Sequence, residues 1–288
     1  MSVIESILFP IDFSSSSIAM APYVKRAAAI FGARVTLLHV VDIASYNGFE
    51  LYLRPTAEIA EDHRLAGREA LDAFLPEEFP LAECPRLIET GEAAAEIARV
   101  AHENKFGLII MPTHSGRFRQ MLLGSTTAKV LNDADCPVLT SRHAETIKPH
   151  PINHREWLCA VGLGPDSERV LRFAKRTTDE TSGKVSIVHA IQTEETGVPI
   201  RLDLEDQAHG DEKLRARERI AALQSAVGLH VPVHIALGRV KEALLEVARN
   251  SDADALIIGR NPASGTYGRM RDLTYAMVRD SPFPVLSI

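Results

Sequence analysis

Two kinds of hydrophobic pattern alternate along the chain. Short runs of consecutive apolar residues are separated by longer stretches in which apolar residues recur every three or four positions. SILFPID (6–12) is the first short run. It leads into SSSSIAMAPYVKRAAAIFG (14–32), which reads as a helix with serines available for the N-cap and Gly32 as its stop. ARVTLLHVV (33–41) is rich in β-branched residues and bounded by charge, which predicts a second strand. A longer polar stretch ends in the helical EIAEDHRLAGREALDAFL (58–75), and PRLIET (85–90) is a third strand. GEAAAEIARVAHEN (91–104) has Ala95, Ile97, Ala98 and Ala101 on helical spacing. FGLIIM (106–111), STTAKVLND (125–133) and CPVLTS (136–141) then read as strand, helix and strand. Because the strands are continuously apolar instead of alternating, they predict a parallel sheet covered by helices on both faces.

The whole pattern occurs twice. VTLLHVVD (35–42) resembles VSIVHAIQ (185–192), with His39 matched by His189. ETGEAAAEIARVA resembles ALGRVKEALLEVA, with Gly91 matched by Gly238. FGLIIM parallels DALIIG, and DADCPVLTS parallels DSPFPVLSI. All four matches are collinear and about 147–150 positions apart, the mark of a duplicated domain. The expected division is a first domain over 1–143, a linker over 144–155 and a second domain over 156–288. The stretch RHAETIKPHPINHRE (142–156) holds His143, His150 and His154. They lack i,i+4 spacing on a predicted helix, so a solvated polar linker is the expectation rather than a metal site.

Composition narrows the class. With 45% hydrophobic and 24% charged residues the chain can build a sizeable core, and its net charge of −6 argues against a nucleic-acid surface. No apolar run approaches the ~18–20 residues that span a bilayer. The N-terminus lacks a basic region followed by a long apolar segment, so no membrane association and a cytoplasmic location are expected. Cys84, Cys136 and Cys159 are odd in number and widely spaced, which speaks against a disulfide framework or a zinc centre.

A parallel sheet of this kind binds ligands beyond the carboxyl ends of its strands, where strand order reverses. The candidate residues are therefore Pro10, Ile11 and Asp12 after the first strand, Val40 in the second, and the loop MPTHSGRFRQMLLGST (111–126) after the fourth. Asp12 admits two readings: with Ser14 to Ser17 it caps the next helix, or it accepts hydrogen bonds from a ribose hydroxyl or an adenine amine. In the loop, Met111, Pro112, His114, Ser115 and Gly116 precede Gly124, Ser125 and Thr126. A Gly-Ser-Thr at a helix start suits phosphate oxygens, yet it can equally be a simple cap. Arg117 and Arg119 can offset phosphate charge. His114 has no evident nucleophile partner. The signatures of a P-loop, a zinc protease, a nucleophile elbow and a dinucleotide fold are all absent, which removes the mechanisms they would carry; no enzyme is predicted, with weak ATP hydrolysis left open and His114 its one candidate for positioning water.

Taken together, ILFPIDFS, LLHVVD, the Gly91 turn, LIIMPTHSG, LLGSTTAKVL and CPVLT resemble the universal stress protein family in tandem form. The resemblance implies two Rossmann-like domains of the adenine nucleotide alpha hydrolase-like type, each a five-stranded parallel sheet, joined as an intramolecular pseudo-dimer through their fifth strands. A homodimer of whole chains stays open. It also implies ATP bound in the first domain only, with Mg²⁺ accompanying the phosphates. Asp12 and Val40 would lie near base and ribose, Pro10 and Ile11 would shape the pocket, and Gly124, Ser125 and Thr126 would meet the phosphates. Pro112 and Ser115 stand where the family motif has glycines, and Pro112 has no N–H to donate; the Gly-Ser half of the motif is intact. In the second copy, Leu163 is expected where the first has Asp12, the terminal Gly-Ser is missing, and Arg260, Arg269 and Arg271 remain. That copy is read as a non-binder or as a site for a different anion. The implied function is a stress-response regulator. The alternative is a nucleotide-independent scaffold working through a protein partner that the sequence does not identify.

Overall fold

The computed structural model describes residues 4–42, 56–113, 123–193, 202–260 and 272–288, with side chains from 58 and 209 in the helices that begin at 56 and 202, and from 273 in the last helix. The first half runs β1 (Ser6–Pro10), α1 (Ser15–Phe31), β2 (Arg34–Val41), α2 (Thr56–Asp72), β3 (Arg86–Thr90), α3 (Ala93–Glu103), β4 (Leu108–Pro112), α4 (Ser125–Asp133) and β5 (Val138–Ser141). The second half repeats it as β6 (Glu156–Ala160), α5 (Ser167–Thr181), β7 (Lys184–Gln192), α6 (Leu202–Val227), β8 (Val233–Gly238), α7 (Val240–Asn250), β9 (Ala255–Ile258), α8 (Asp272–Asp280) and β10 (Val285–Ser287). Every strand and helix expected in the first copy forms within a few residues of its sequence pattern.

The strands form one ten-stranded sheet in the order β3-β2-β1-β4-β5-β10-β9-β6-β7-β8. Within each half all pairs are parallel. The halves join where β5 runs antiparallel to β10, with Leu139 opposite Leu286. That pairing covers what would otherwise be two exposed sheet edges.

Burial follows position in the sheet. Central β4 and β9 are buried at every residue, whereas outer β3 and β8 are mostly half-buried. Alternate residues of β1 feed two cores: Ile7 and Phe9 pack with Met20 and Val24 of α1, and Leu8 packs with Ile97 of α3 and Leu131 of α4. Both cores run through both halves. Helix α1 is closed as its sequence predicts: the Ser14 hydroxyl accepts from Ser17 N–H, and Gly32 at φ 63° returns its N–H to Ala28 O.

Candidate functional site

In each half the strand order reverses beside the first strand, so a crevice opens between the carboxyl ends of β1 and β4, and of β6 and β9. In the first half it holds a cavity of about 130 Å³. Seven expected residues meet there: Pro10 at the end of β1, Ile11 and Asp12 after it, Val40 of β2, Met111 and Pro112 of β4, and Thr126 of α4. Gly124 and Ser125 stand next to Thr126 at the head of α4 but do not line the cavity. His114, Ser115, Gly116, Arg117 and Arg119 lie outside the described residues.

Asp12 braces the cap that Ser14 makes and still borders the cavity. Its Oδ1 accepts from Ser14 N–H at 3.0 Å and from the Ser17 hydroxyl at 2.5 Å. Phe13 turns the chain at φ 61°, a left-handed conformation that is rare for a bulky residue. Its ring lies 4.5 Å from that of His39. The His39 Nδ1–H donates to Ile11 O at 2.9 Å, so this ring fixes the end of β1. Ser17 and His39 were not anticipated as site residues; the seryl run and the repeated strand histidine were the available signals.

Helix α4 begins without a side-chain cap: Gly124 is its N-cap at φ −58° and ψ 140°, angles open to most residues. Gly124 N–H donates to Thr113 O, and Thr127 Oγ1 donates to Pro112 O, which straps the helix head to the end of β4. First-turn N–H groups without a side-chain acceptor, at the positive end of the helix dipole, favour an anion.

The second half carries the larger cavity, about 290 Å³. Val161 N–H donates to Val188 O and His189 Nδ1–H to Val161 O, as Ile11 and His39 do in the first half. The structural counterpart of Asp12 is thus Gly162. Leu163, at φ 56°, matches Phe13, which corrects the sequence expectation by one residue.

Two further expectations are corrected. Arg260 serves no anion pocket: its buried guanidinium reaches into the other half and donates to Leu131 O, Ala134 O and Cys136 O, at the C-terminal end of α4. Nor is the linker merely solvated. Glu145 accepts from the Ser15 and Ser16 hydroxyls at the head of α1. Arg26 of α1 donates to Pro151 O and His154 O and pairs with Asp254 at 2.8 Å. Asp254, 1% exposed, also accepts from Glu156 N–H and faces His150 Nδ1 at 2.9 Å. The ligand atoms of His150, His154 and Asp254 lie within 4.8 Å of one another, but the guanidinium of Arg26 already provides the cation there. This cluster therefore clasps the linker to both halves.

The thiols are held protonated. Burial pushes Cys136 up to about 11 against the opposing pull of Arg260, and burial likewise raises Cys84 and Cys159.

Comparison with known proteins gives one consistent answer. The model of the universal stress protein family matches twice, over residues 4–142 and 155–288. A universal stress protein of Methanocaldococcus jannaschii is 33% identical over 140 residues, 47% of this chain and 80% of that protein. One from Thermus aquaticus is 32% identical over 143 residues, covering 48% and 98%. The crystal structure of a universal stress protein from Archaeoglobus fulgidus superimposes with a TM-score of 0.68 at 21% identity, covering 98% of this chain and 97% of that one, a likeness of fold.

Proposed function

The chain belongs to the universal stress protein family, and from that premise we propose that it is a regulatory protein that binds one adenine nucleotide in its first half. The observation that carries this reading is the convergence of Pro10, Ile11, Asp12, Val40, Met111 and Thr126 on one cavity beside the uncapped head of α4. A cavity of about 130 Å³ is smaller than the ~300–1,000 Å³ of sites that enclose a whole drug-sized ligand. It admits the edge of a base, with the rest of the ligand held outside it along the strand ends. Asp12 supplies an acceptor for an amine or hydroxyl, and the N–H groups and hydroxyls of Ser125 and Thr126 supply donors for phosphate. Pro112 cannot donate an N–H, so α4 carries more of the anion contact than a glycine loop would leave to it. Mg²⁺ would accompany the phosphates. Regulation through occupancy, with no catalytic step, fits the described cavity: the Nδ1 of His39, the one histidine among its described lining residues, is committed to Ile11 O. The two halves, joined through β5 and β10, act in this reading as a pseudo-dimer within one chain.

The test is purification without added nucleotide, then denaturation and chromatography of what is released, with calorimetric titration of ATP into emptied protein. About one nucleotide per chain is expected, weakened at least tenfold by Asp12→Asn and by the double change Ser125→Ala, Thr126→Gly. An emptied protein that gives no heat with ATP would refute the proposal and favour the nucleotide-independent scaffold.

A further inference from the structure

The second half departs from the first by specific substitutions around its cavity. Gly162 replaces Asp12, Gly259 replaces Pro112 and Ala190 replaces Val40, each a loss of side-chain volume. The cavity grows from about 130 to about 290 Å³. The walls are apolar: Val161, Val170, Val240, Leu244 and Ile258. Gly259 is needed for packing, since a Cβ there would stand 3.1 Å from Asp166 Cβ and 3.2 Å from Val170 Cγ2.

The loss of the carboxylate has a second consequence. In the first half the Ser17 hydroxyl donates to Asp12 at 2.5 Å. Its counterpart Ser167 is 3% exposed, lines the cavity and has no hydrogen-bond partner for its hydroxyl among the described residues. A buried hydroxyl left unpaired costs stability unless something in the cavity bonds it.

The acid has also moved, from the end of the first strand to the head of the following helix. Asp166 is the one charged residue among the described residues lining the cavity, 22% exposed, with Arg169 at 3.7 Å. That guanidinium is committed to the carbonyls of Arg260 and Ile288. Helix α8 opens on Asp272 where α4 opens on Ser125, an acidic residue type at the helix start in place of a neutral one.

We propose that the second half holds a separate small-molecule site, which takes a cationic amine on an apolar body of about ten non-hydrogen atoms and rejects nucleotides. The size follows from a cavity of about 290 Å³ at ~30 Å³ per water-sized group. The apolar body fills the walls, the ammonium pairs with Asp166, and Ser167 bonds a polar atom of the ligand. The site is independent of nucleotide binding in the first half.

The test uses the full chain with 2-phenylethylamine as probe and 2-phenylethanol as its uncharged counterpart, followed by calorimetry and by NMR shifts. One amine per chain is expected, bound at least tenfold more tightly than the alcohol and not displaced by saturating ATP. Asp166→Asn should abolish the preference for the amine. Gly162→Asp restores the acceptor for Ser167 and refills the cavity; a Cβ at Gly162 meets nothing within 4 Å, so the fold accommodates it. This variant should weaken the amine at least tenfold. No binding at millimolar amine, equal binding of the alcohol, displacement by ATP, or unaltered affinity in Gly162→Asp would each overturn the proposal.

Discussion

Arg260→Met tests how the two halves are locked together. Arg260 is 3% exposed, and its guanidinium makes three bonds to carbonyls of the other half: Leu131 at 2.7 Å, Ala134 at 3.1 Å and Cys136 at 2.6 Å. Methionine keeps most of the aliphatic stem and removes the donors. Bonds from a charged donor are worth ~1.5–3 kcal/mol each, so the gross loss is large. Against it stands the cost of burying a guanidinium, itself several kcal/mol, which the variant no longer bears. A net loss of about 3 kcal/mol is expected, because three carbonyls lose a donor at ~1–3 kcal/mol each and the relieved burial cost offsets part of that. Urea unfolding followed by far-ultraviolet circular dichroism reports both halves, while fluorescence of Trp157, the chain's one tryptophan, reports the second. The loss should appear in both probes, because the contact joins them. Arg260→Lys should fall between, since an ammonium keeps the charge but lacks the planar fork that reaches three carbonyls. A Met variant within 1 kcal/mol of the parent would refute the view that this guanidinium holds α4 to the second half.

Gly183→Ala places a Cβ 2.0 Å from Trp157 Cζ3, too close for the indole to stay where it stacks on Phe31. A loss of about 1–3 kcal/mol from overpacking is expected together with a changed tryptophan emission spectrum; an unchanged spectrum and stability would count against this packing. Asp280 is held at about 2 rather than 3.8 by bonds from Arg279 and Lys241. Its folded pKa is depressed, so its contribution is present above about pH 4 and fades as pH falls through about 2. With 24% of the side chain exposed, that contribution is at most about 2 kcal/mol. Asp280→Asn should lose it at pH 7 and show a flatter decline between pH 4 and 2, measured by thermal unfolding across that range; parallel pH curves would contradict the assignment.

The fold was readable because it is carried by period and repetition. Continuous apolar runs as short as FGLIIM, set between helical stretches, read as strands covered on both faces, and the collinear repeats meant that each element was seen twice. The site was half readable. Pro10 to Asp12, Val40, Met111, Pro112 and Thr126 converge because strand ends next to the reversal of strand order must converge. What escaped were facts set by three-dimensional register. The one-residue error at Leu163 arose because sequence gives no sign that Phe13 and Leu163 share a left-handed turn. Arg260 counted among the basic residues left for a different anion because it follows a fourth strand, yet its long side chain reaches carbonyls in the other half. The linker looked solvated because its polar residues have no periodicity, and their partners Arg26 and Asp254 lie more than 100 positions away.

The residues that survived duplication and those that diverged separate by physical role. His39 and His189 both bond the carbonyl just past their half's first strand, and Gly91 and Gly238 both turn at positive φ. These hold the backbone, and a change at either would move a strand end. Asp12 and Gly162, Pro112 and Gly259, and Ser125 and Asp272 occupy matched places, but each pair differs in charge, size or hydrogen bonding. They face a cavity or a helix head, where a substitution alters what can bind while the sheet keeps its ladder. Arg260 shows the cost of that freedom at the seam. Once a side chain of one half caps a helix of the other, the two copies no longer have interchangeable surroundings, and each cavity can be tuned only against its own neighbours. Two different ligands are then a more natural outcome for this tandem chain than two copies of one.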